Sequence, residues 1–437
     1  MRRTLASTAA IVFLATGASA QVTPAAGFVP PNDTQALRVG MTLFMDNTTT
    51  LSPKGRDAAC VAVGAACVEN FTPNAFNTPR AYINVTGSIS HIVTYRITPD
   101  IAGLVAGTSY PYRLKYAYAQ FSLDDWIKGS AGNWVRFGQH GTPWHDFEEG
   151  IYRYRFQGTI FAERGGYLSS ADRGASFRYN FPSNWGDTHT GIYNGETYAA
   201  NEVNQGKAWM TRVSFRPFAR MDPLYRGLRV SMYYLNDRYQ SAADLPAGTA
   251  QTGSAEKTRL IGAVTFEHAN LNAAFQYLTT KDQTTTLGAA PLPFVREGKG
   301  YSIWAVPKQG AGNVGWEGLL RYDHLVPDTR STVIPVTVVG SNPNNVTFEQ
   351  QERNRFIAGI AYWLPHPAGA GTTAVLFDVD VLTTGPGVPD ATGGISGLSG
   401  SSNAAPQGQA NPSFAVSAPF LPTRTLKTFS VHLLVNF

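Results

Sequence analysis

The sequence predicts an all-β fold: a 16-stranded antiparallel transmembrane β-barrel with an in-folding third outer loop. Three observations carry that expectation. Sixteen segments alternate apolar and polar residues with period two, the signature of strands with one face in lipid. The connections between them alternate short and long. After the first twenty residues no uncharged apolar run of about 18 or more appears, which excludes a bundle of membrane helices. The 437 residues are only 15% charged yet 12% aromatic, with 43 Gly, which is unusual for a cytosolic enzyme. A net charge of +5 is small for this length and does not point to nucleic acid.

The chain opens with Arg2 and Arg3, an apolar stretch from Ala9 to Ala15, and small residues ending in Ala18-Ser19-Ala20. This is the layout of a cleaved signal peptide over 1-20, with the barrel occupying 21-437. Removing the leader leaves 33 basic against 30 acidic residues. Export to an oxidising compartment, with no His nearby, predicts a local disulfide between Cys60 and Cys67 rather than a metal site.

The alternating segments lie at 37-46, 80-88, 91-98, 113-122, 133-139, 173-181, 188-194 and 207-217 in the first half. They continue at 227-237, 257-267, 270-279, 299-307, 313-323, 353-363, 373-382 and 425-437. In the last, Phe429, Val431, Leu433, Val435 and Phe437 share one face against Thr428, Ser430, His432 and Asn436, with Leu434 as the single break. An even number of strands returns both termini to the same side. Taking the first strand as outward-running, every outer connection is longer than every inner turn, which a sandwich has no reason to show. Lipid offers no hydrogen-bond partners, so such a sheet must close on itself. Sixteen strands are expected to enclose a lumen that side chains alone do not fill. Trp209 and Trp316, near strand ends, are expected in the interface girdles.

Two outer connections stand out. Residues 383-424 are rich in Gly, Ser, Ala and Pro, with Asp390 as their only acid, and read as an irregular surface loop. Residues 140-172 are dense in charge and aromatics: His140, Trp144, His145, Asp146, Glu148, Glu149, Arg153, Arg155, Glu163 and Arg164. Such a connection is suited to fold into the lumen and narrow it.

The stretch Trp134-Val135-Arg136-Phe137-Gly138-Gln139-His140-Gly141-Thr142-Pro143 resembles the R-x-G-Q-x-x-x-P strand ending of the phosphate-selective porin O and P family. Lys115 to Tyr118, Glu163-Arg164, Asp172-Arg173-Gly174 and Gly191 to Gly195 follow that family's order loosely, so the resemblance spans roughly 80-195. It implies an outer-membrane porin of a Gram-negative-type bacterium, commonly a homotrimer, with a third outer loop folded inward and a basic pore. The loop here departs from a basic ladder, mixing five acids with three Arg. Phosphate specificity does not carry over with the fold.

Strand parity supplies the lumen face without the family. It places Arg38, Arg96, Lys115, Arg136, Arg178, Arg212, Arg216, Arg229, Arg259, Arg321, Arg353 and Arg355 inward, against Asp46, Glu267, Glu317, Asp323, Asp378 and Asp380. Twelve bases against six acids predict weak anion attraction. The expected function is passive diffusion of small hydrophilic solutes or anions through a barrel in outer-membrane lipid, with no enzymatic activity, cofactor, metal or nucleic-acid partner. The rival readings are an outer-membrane hydrolase built on His140, His145 and their acids with Ser169 or Ser170, and a structural barrel with a closed lumen.

Overall fold

The structure is a computed structural model. It describes residues 33–52, 54–56, 69–102, 110, 112–202, 204–240, 255–285, 293–309, 314–329, 333–334, 346–347, 352–366, 371–385 and 424–437. The leader, Cys60, Cys67 and residues 386–423 of the last long connection lie outside the described residues.

Sixteen strands form the barrel. In the first half they are β1 (Ala36–Ser52), β2 (Asn74–Ser88), β3 (Val93–Ala102), β4 (Tyr112–Ser122), β5 (Trp134–Gly141), β6 (Ala171–Asn180), β7 (Gly186–Tyr193) and β8 (Ala208–Phe215). The second half adds β9 (Leu228–Gln240), β10 (Ala255–Glu267), β11 (Leu271–Thr285), β12 (Pro293–Pro307), β13 (Gly315–Val326), β14 (Arg353–Trp363), β15 (Thr372–Thr384) and β16 (Arg424–Asn436). Each strand pairs antiparallel with its sequence neighbour, and β16 closes the ring on β1 from Thr42↔Asn436 to Thr50↔Thr428. Phe437 extends the seam by exchanging two 3.0 Å backbone hydrogen bonds with Met41. Closure leaves no unpaired edge within the sheet.

Each of the sixteen alternating segments became one strand. At the short-turn end the boundaries agree closely, but at the other end several strands run further. β1 continues to Ser52, β2 begins at Asn74, β11 reaches Thr285 and β12 starts at Pro293. Thr285 still pairs with Pro293. In these extensions the apolar-polar alternation fades, most plainly in Thr279-Thr280-Lys281-Asp282-Gln283 where both faces are polar, while the backbone ladder persists. The strict separation of connection lengths therefore does not hold: 103–111 and 286–292 are shorter than 216–227.

The outward face is apolar and exposed, with Phe137 68%, Ile303 51% and Phe429 40% exposed. Trp209 lies at the long-connection end of β8 and Trp316 at the short-turn end of β13, its ring tilted against that of Tyr362 at 4.9 Å. Aromatics thus mark both rims of the apolar band, as interfaces favour.

One irregularity shapes the interior. The β3–β4 register shifts between Thr98 and Pro99, where proline offers no N–H to the ladder. As a result Lys115 and Tyr116, adjacent in sequence, are both buried, and the Lys115 ammonium sits 4.7 and 5.3 Å from the Tyr82 and Tyr116 rings.

Candidate functional site

The connection between β5 and β6 begins at the Arg136–Gln139 motif. Gly138 has φ of +119°, and a Cβ there would fall 2.4 Å from the Ala117 carbonyl oxygen, so only glycine fits. The kink turns Gln139 to donate to the carbonyls of Leu114 and Lys115. Arg136, between the Trp134 and Tyr118 rings, donates to Gln120 at 2.9 Å and to Asp146 in the connection at 2.7 Å. Each position of the motif thus has a local reason, and together they launch the chain out of the sheet.

A short helix α1 (Pro143–Glu148) follows, with Pro at its start, where a missing N–H costs nothing. The Thr142 hydroxyl donates to the Ser169 carbonyl at 2.8 Å and Thr142 N–H to Ser170 at 3.2 Å, so the two ends of the connection are tied together. The second helix, α2 (Phe161–Arg164), lies near the return.

Between these points the connection bonds to inward-facing residues of distant strands. Arg212 of β8 donates to the Pro143 carbonyl at 3.3 Å, and Gln276 of β11 donates to Glu148 at 2.5 Å. Arg153 forms a buried ion pair with Glu317 of β13, lies 3.6 Å over the Trp363 ring of β14, and is joined by Tyr154, which donates to Glu317 at 2.8 Å. Arg321 of β13 donates to the Thr159 carbonyl at 3.2 Å, and Arg259 of β10 to that of Tyr167 at 3.2 Å. Aromatic pairs fill the space between: Tyr152 with Trp304 at 5.2 Å, Phe156 with Trp363 at 6.0 Å and with Phe44 at 6.5 Å, and Trp144 with Tyr233 at 5.8 Å. Every residue from 151 to 162 is buried.

The acids and bases of the connection are held by one another. Arg155 donates to Glu149 at 2.9 Å and lies 3.4 Å from Glu163, which also faces His145 at 3.4 Å. Burial alone would raise the Glu163 carboxyl, but Arg155 and His145 hold it well below the usual carboxylate range. Glu148 is the opposite case. Burial outweighs Arg321 and the donors Gln276 and Trp144, and its carboxyl is pushed up to about 7. Burial and the nearby Arg321 and Arg355 push Arg164 down to about 9.

The wall arginines expected from parity are on the inner face, and most are neutralised. Arg178 and Arg212 share Asp187, Arg216 and Arg229 share Glu267, and Arg259 pairs with Asp282 at 2.5 Å. Arg321 pairs with Asp323 at 2.8 Å and Arg355 with Asp380 at 3.1 Å, while Arg353 is buried opposite Leu325 and Thr384. Asp187 and Asp282 were not among the acids read from the sequence. Both lie just beyond the recognised alternation, at 188-194 and 270-279, so following the inward parity from His189 back to 187, and from Leu278 through 280 to 282, would have found them. His145 bonds the Thr142 hydroxyl at 3.0 Å and Ser169 donates to the Ala171 carbonyl at 3.0 Å, so these two groups are engaged away from each other.

No protein-family model and no curated protein matches the sequence. Solved structures do match in fold. An anion-selective porin from Comamonas acidovorans superposes with a TM-score of 0.53 at 11% identity, covering 92% of this chain and 100% of the other. The outer membrane channel DcaP of Acinetobacter baumannii gives 0.51 at 10% identity, covering 94% and 100%. OmpF of Salmonella typhi, solved in complex with daunomycin, gives 0.51 at 11% identity, covering 93% and 98%. The fold is that of the sixteen-stranded outer-membrane porins.

Proposed function

We propose that this chain is an outer-membrane porin for passive diffusion of small hydrophilic solutes, with a weak preference for anions, phosphate among them. The observation that carries this reading is a closed barrel whose apolar face points outward while its bases and acids point inward. The β5–β6 connection acts as the constriction, because its contacts run to inner-face residues of β8, β10, β11, β13 and β14. His145, Asp146, Glu148, Glu149, Arg153, Arg155 and Arg164 serve to fix its position, and the wall arginines supply the field. Ion pairing of those arginines keeps the preference weak. The N-terminal leader directs export, the long connections face outward, and the sequence resemblance supports a homotrimer. The chain performs no catalysis.

The burial of residues 151–162 favours one second reading, a barrel with a closed lumen. Planar-bilayer recording separates the two. Purified folded protein should give discrete conductance steps, and its reversal potential in a KCl gradient should show a small anion preference. A folded barrel that gives no steps overturns the porin reading and leaves the closed barrel.

A further inference from the structure

Arg136, Arg259, Arg321 and Arg355 each have a carboxylate to themselves, but the arginines at the short-turn end of the lumen do not. There a cavity of about 440 Å³ is lined by Arg178, Arg216, Arg229, Asp187, Asn180 and Ser183, among others. Asp187 serves both Arg178, at 3.3 Å, and Arg212 behind it. Glu267 serves both Arg216, at 3.2 Å, and Arg229, at 3.0 Å. Four guanidinium groups therefore share two carboxylates, an excess of two positive charges among the charged lining residues and their ion-pair partners Arg212 and Glu267. A guanidinium carries five donors in a planar fork, and one carboxylate does not fill two forks. The Arg229 Nε–H is buried without an acceptor. The Arg178, Arg216 and Arg229 side chains are 35%, 13% and 16% exposed, so they stay in reach of a solute that enters.

The rim is built rather than loose. Asn180 donates to the Ala131 carbonyl at 2.6 Å and accepts Arg178 Nε–H at 3.3 Å, and Arg216 donates to the Arg226 carbonyl at 2.9 Å. The volume lies within the range of small-molecule sites.

We propose that this cavity binds a small dianion that carries its charge on oxygen, a tetrahedral oxyanion or a short dicarboxylate, between the Arg178 and Arg216–Arg229 guanidinium groups. The charge excess matches two negative charges, and the forked donors match oxygen acceptors. This inference rests on the channel reading for its role in transport, as a holding site at one mouth, but the binding itself does not depend on conduction.

The test is calorimetric titration of sulfate into the detergent-folded barrel at constant ionic strength, with folding checked by the heat-dependent shift in gel mobility. One saturable site is expected, with succinate competing and chloride not. Arg216→Gln/Arg229→Gln should weaken sulfate at least tenfold. Glu267→Gln, which frees both arginines, should tighten it several-fold and decides the matter alone if the double variant does not fold. No saturable binding, or affinities unchanged in the variants, overturns the site. Sulfate binding without conductance steps would overturn the channel reading and leave the site standing.

Discussion

Two stretches of the inner wall carry the same residue types and end differently. Beneath the β5–β6 connection, Arg212, Gln276, Glu317, Arg321 and Trp363 are each bonded to or packed on the crossing chain, and all are buried. At the short-turn mouth, Arg178, Arg216 and Arg229 line a cavity of about 440 Å³ and, like their partner Glu267, keep part of their surface. Parity assigns both groups to one face, and it is the connection that decides which become structural ion pairs and which stay available to solutes. On the proposed reading, a charge under the connection is a strut, whereas the same charge at the mouth is part of a field.

Removing the cover should break the comparison outright. Deletion of residues 144–165 takes away α1, the aromatic span and α2, and leaves the Thr142–Ser170 neck. Single-channel conductance should rise several-fold, since Trp304, Trp363 and Tyr233 lose their partners and the wall beneath becomes wet. Unchanged conductance in the deletion protein would mean that the connection does not set the passage.

How far the sequence carried the fold can be seen in the breaks. The period-two segments located every strand of the barrel because lipid on one side imposes a rule that no loop can mimic, and they missed the two short pairs Gly55–Arg56/Glu69–Phe71 and Val333–Ile334/Val346–Thr347 in the connections. Leu434 stood out as a violation, and Phe44, Met210, Tyr233 and Leu319 broke the polar face in the same way. All five are buried in the interior, and Phe44, Tyr233 and Leu319 are no more than 1% exposed. These residues are the floor on which the connection rests. The violations were legible, but their meaning was not, because an apolar side chain facing a lumen makes sense only once something apolar faces it. The pairing of the arginines was hidden for another reason. It depends on register between strands, such as Arg212 beside His189 of β7 with Asp187 two residues along, which one strand's alternation does not contain.

A narrower test breaks one strut. Glu317→Gln leaves the Arg153 guanidinium buried without its counter-charge, at a cost of about 3–5 kcal/mol. The variant should lose its heat-resistant gel mobility at a lower temperature and give noisier current traces. Arg153→Met/Glu317→Leu, which removes both charges, should recover most of the loss. A single variant as heat-resistant as the parent would show that the pair is not holding the connection.

Protonation offers a gentler way to loosen the same region. With its carboxyl at about 7 in the fold, against an ordinary value near 4.5, Glu148 favours the packed state when protonated. That contribution is complete below about pH 4.5 and is lost as the pH rises through about 7. Glu163 runs the other way, being depressed, and its contribution falls away only below the ordinary carboxylate range, so it is constant in this window. Hydrogen exchange in residues 143–162, corrected for intrinsic rates, should be better protected at pH 5 than at pH 8. Glu148→Gln should abolish the difference, and a variant that keeps it would move the titration to another group.

The smallest effect belongs to the mouth. Arg178 shares Asp187 with Arg212 and keeps about a third of its side-chain surface, so solvent and salt screen most of its field. Arg178→Gln should leave heat resistance unchanged and move the reversal potential toward cations by only a few millivolts, and less at high salt. Arg321→Gln, under the connection, should do the reverse: it strands Asp323 and removes the bond to the Thr159 carbonyl, so it should lower heat resistance. Its direct effect on selectivity should be small, since its charge is spent locally. If the two variants behaved alike in both assays, the distinction between strut and field would fail, and the whole inner wall would have to be treated as a single charged surface.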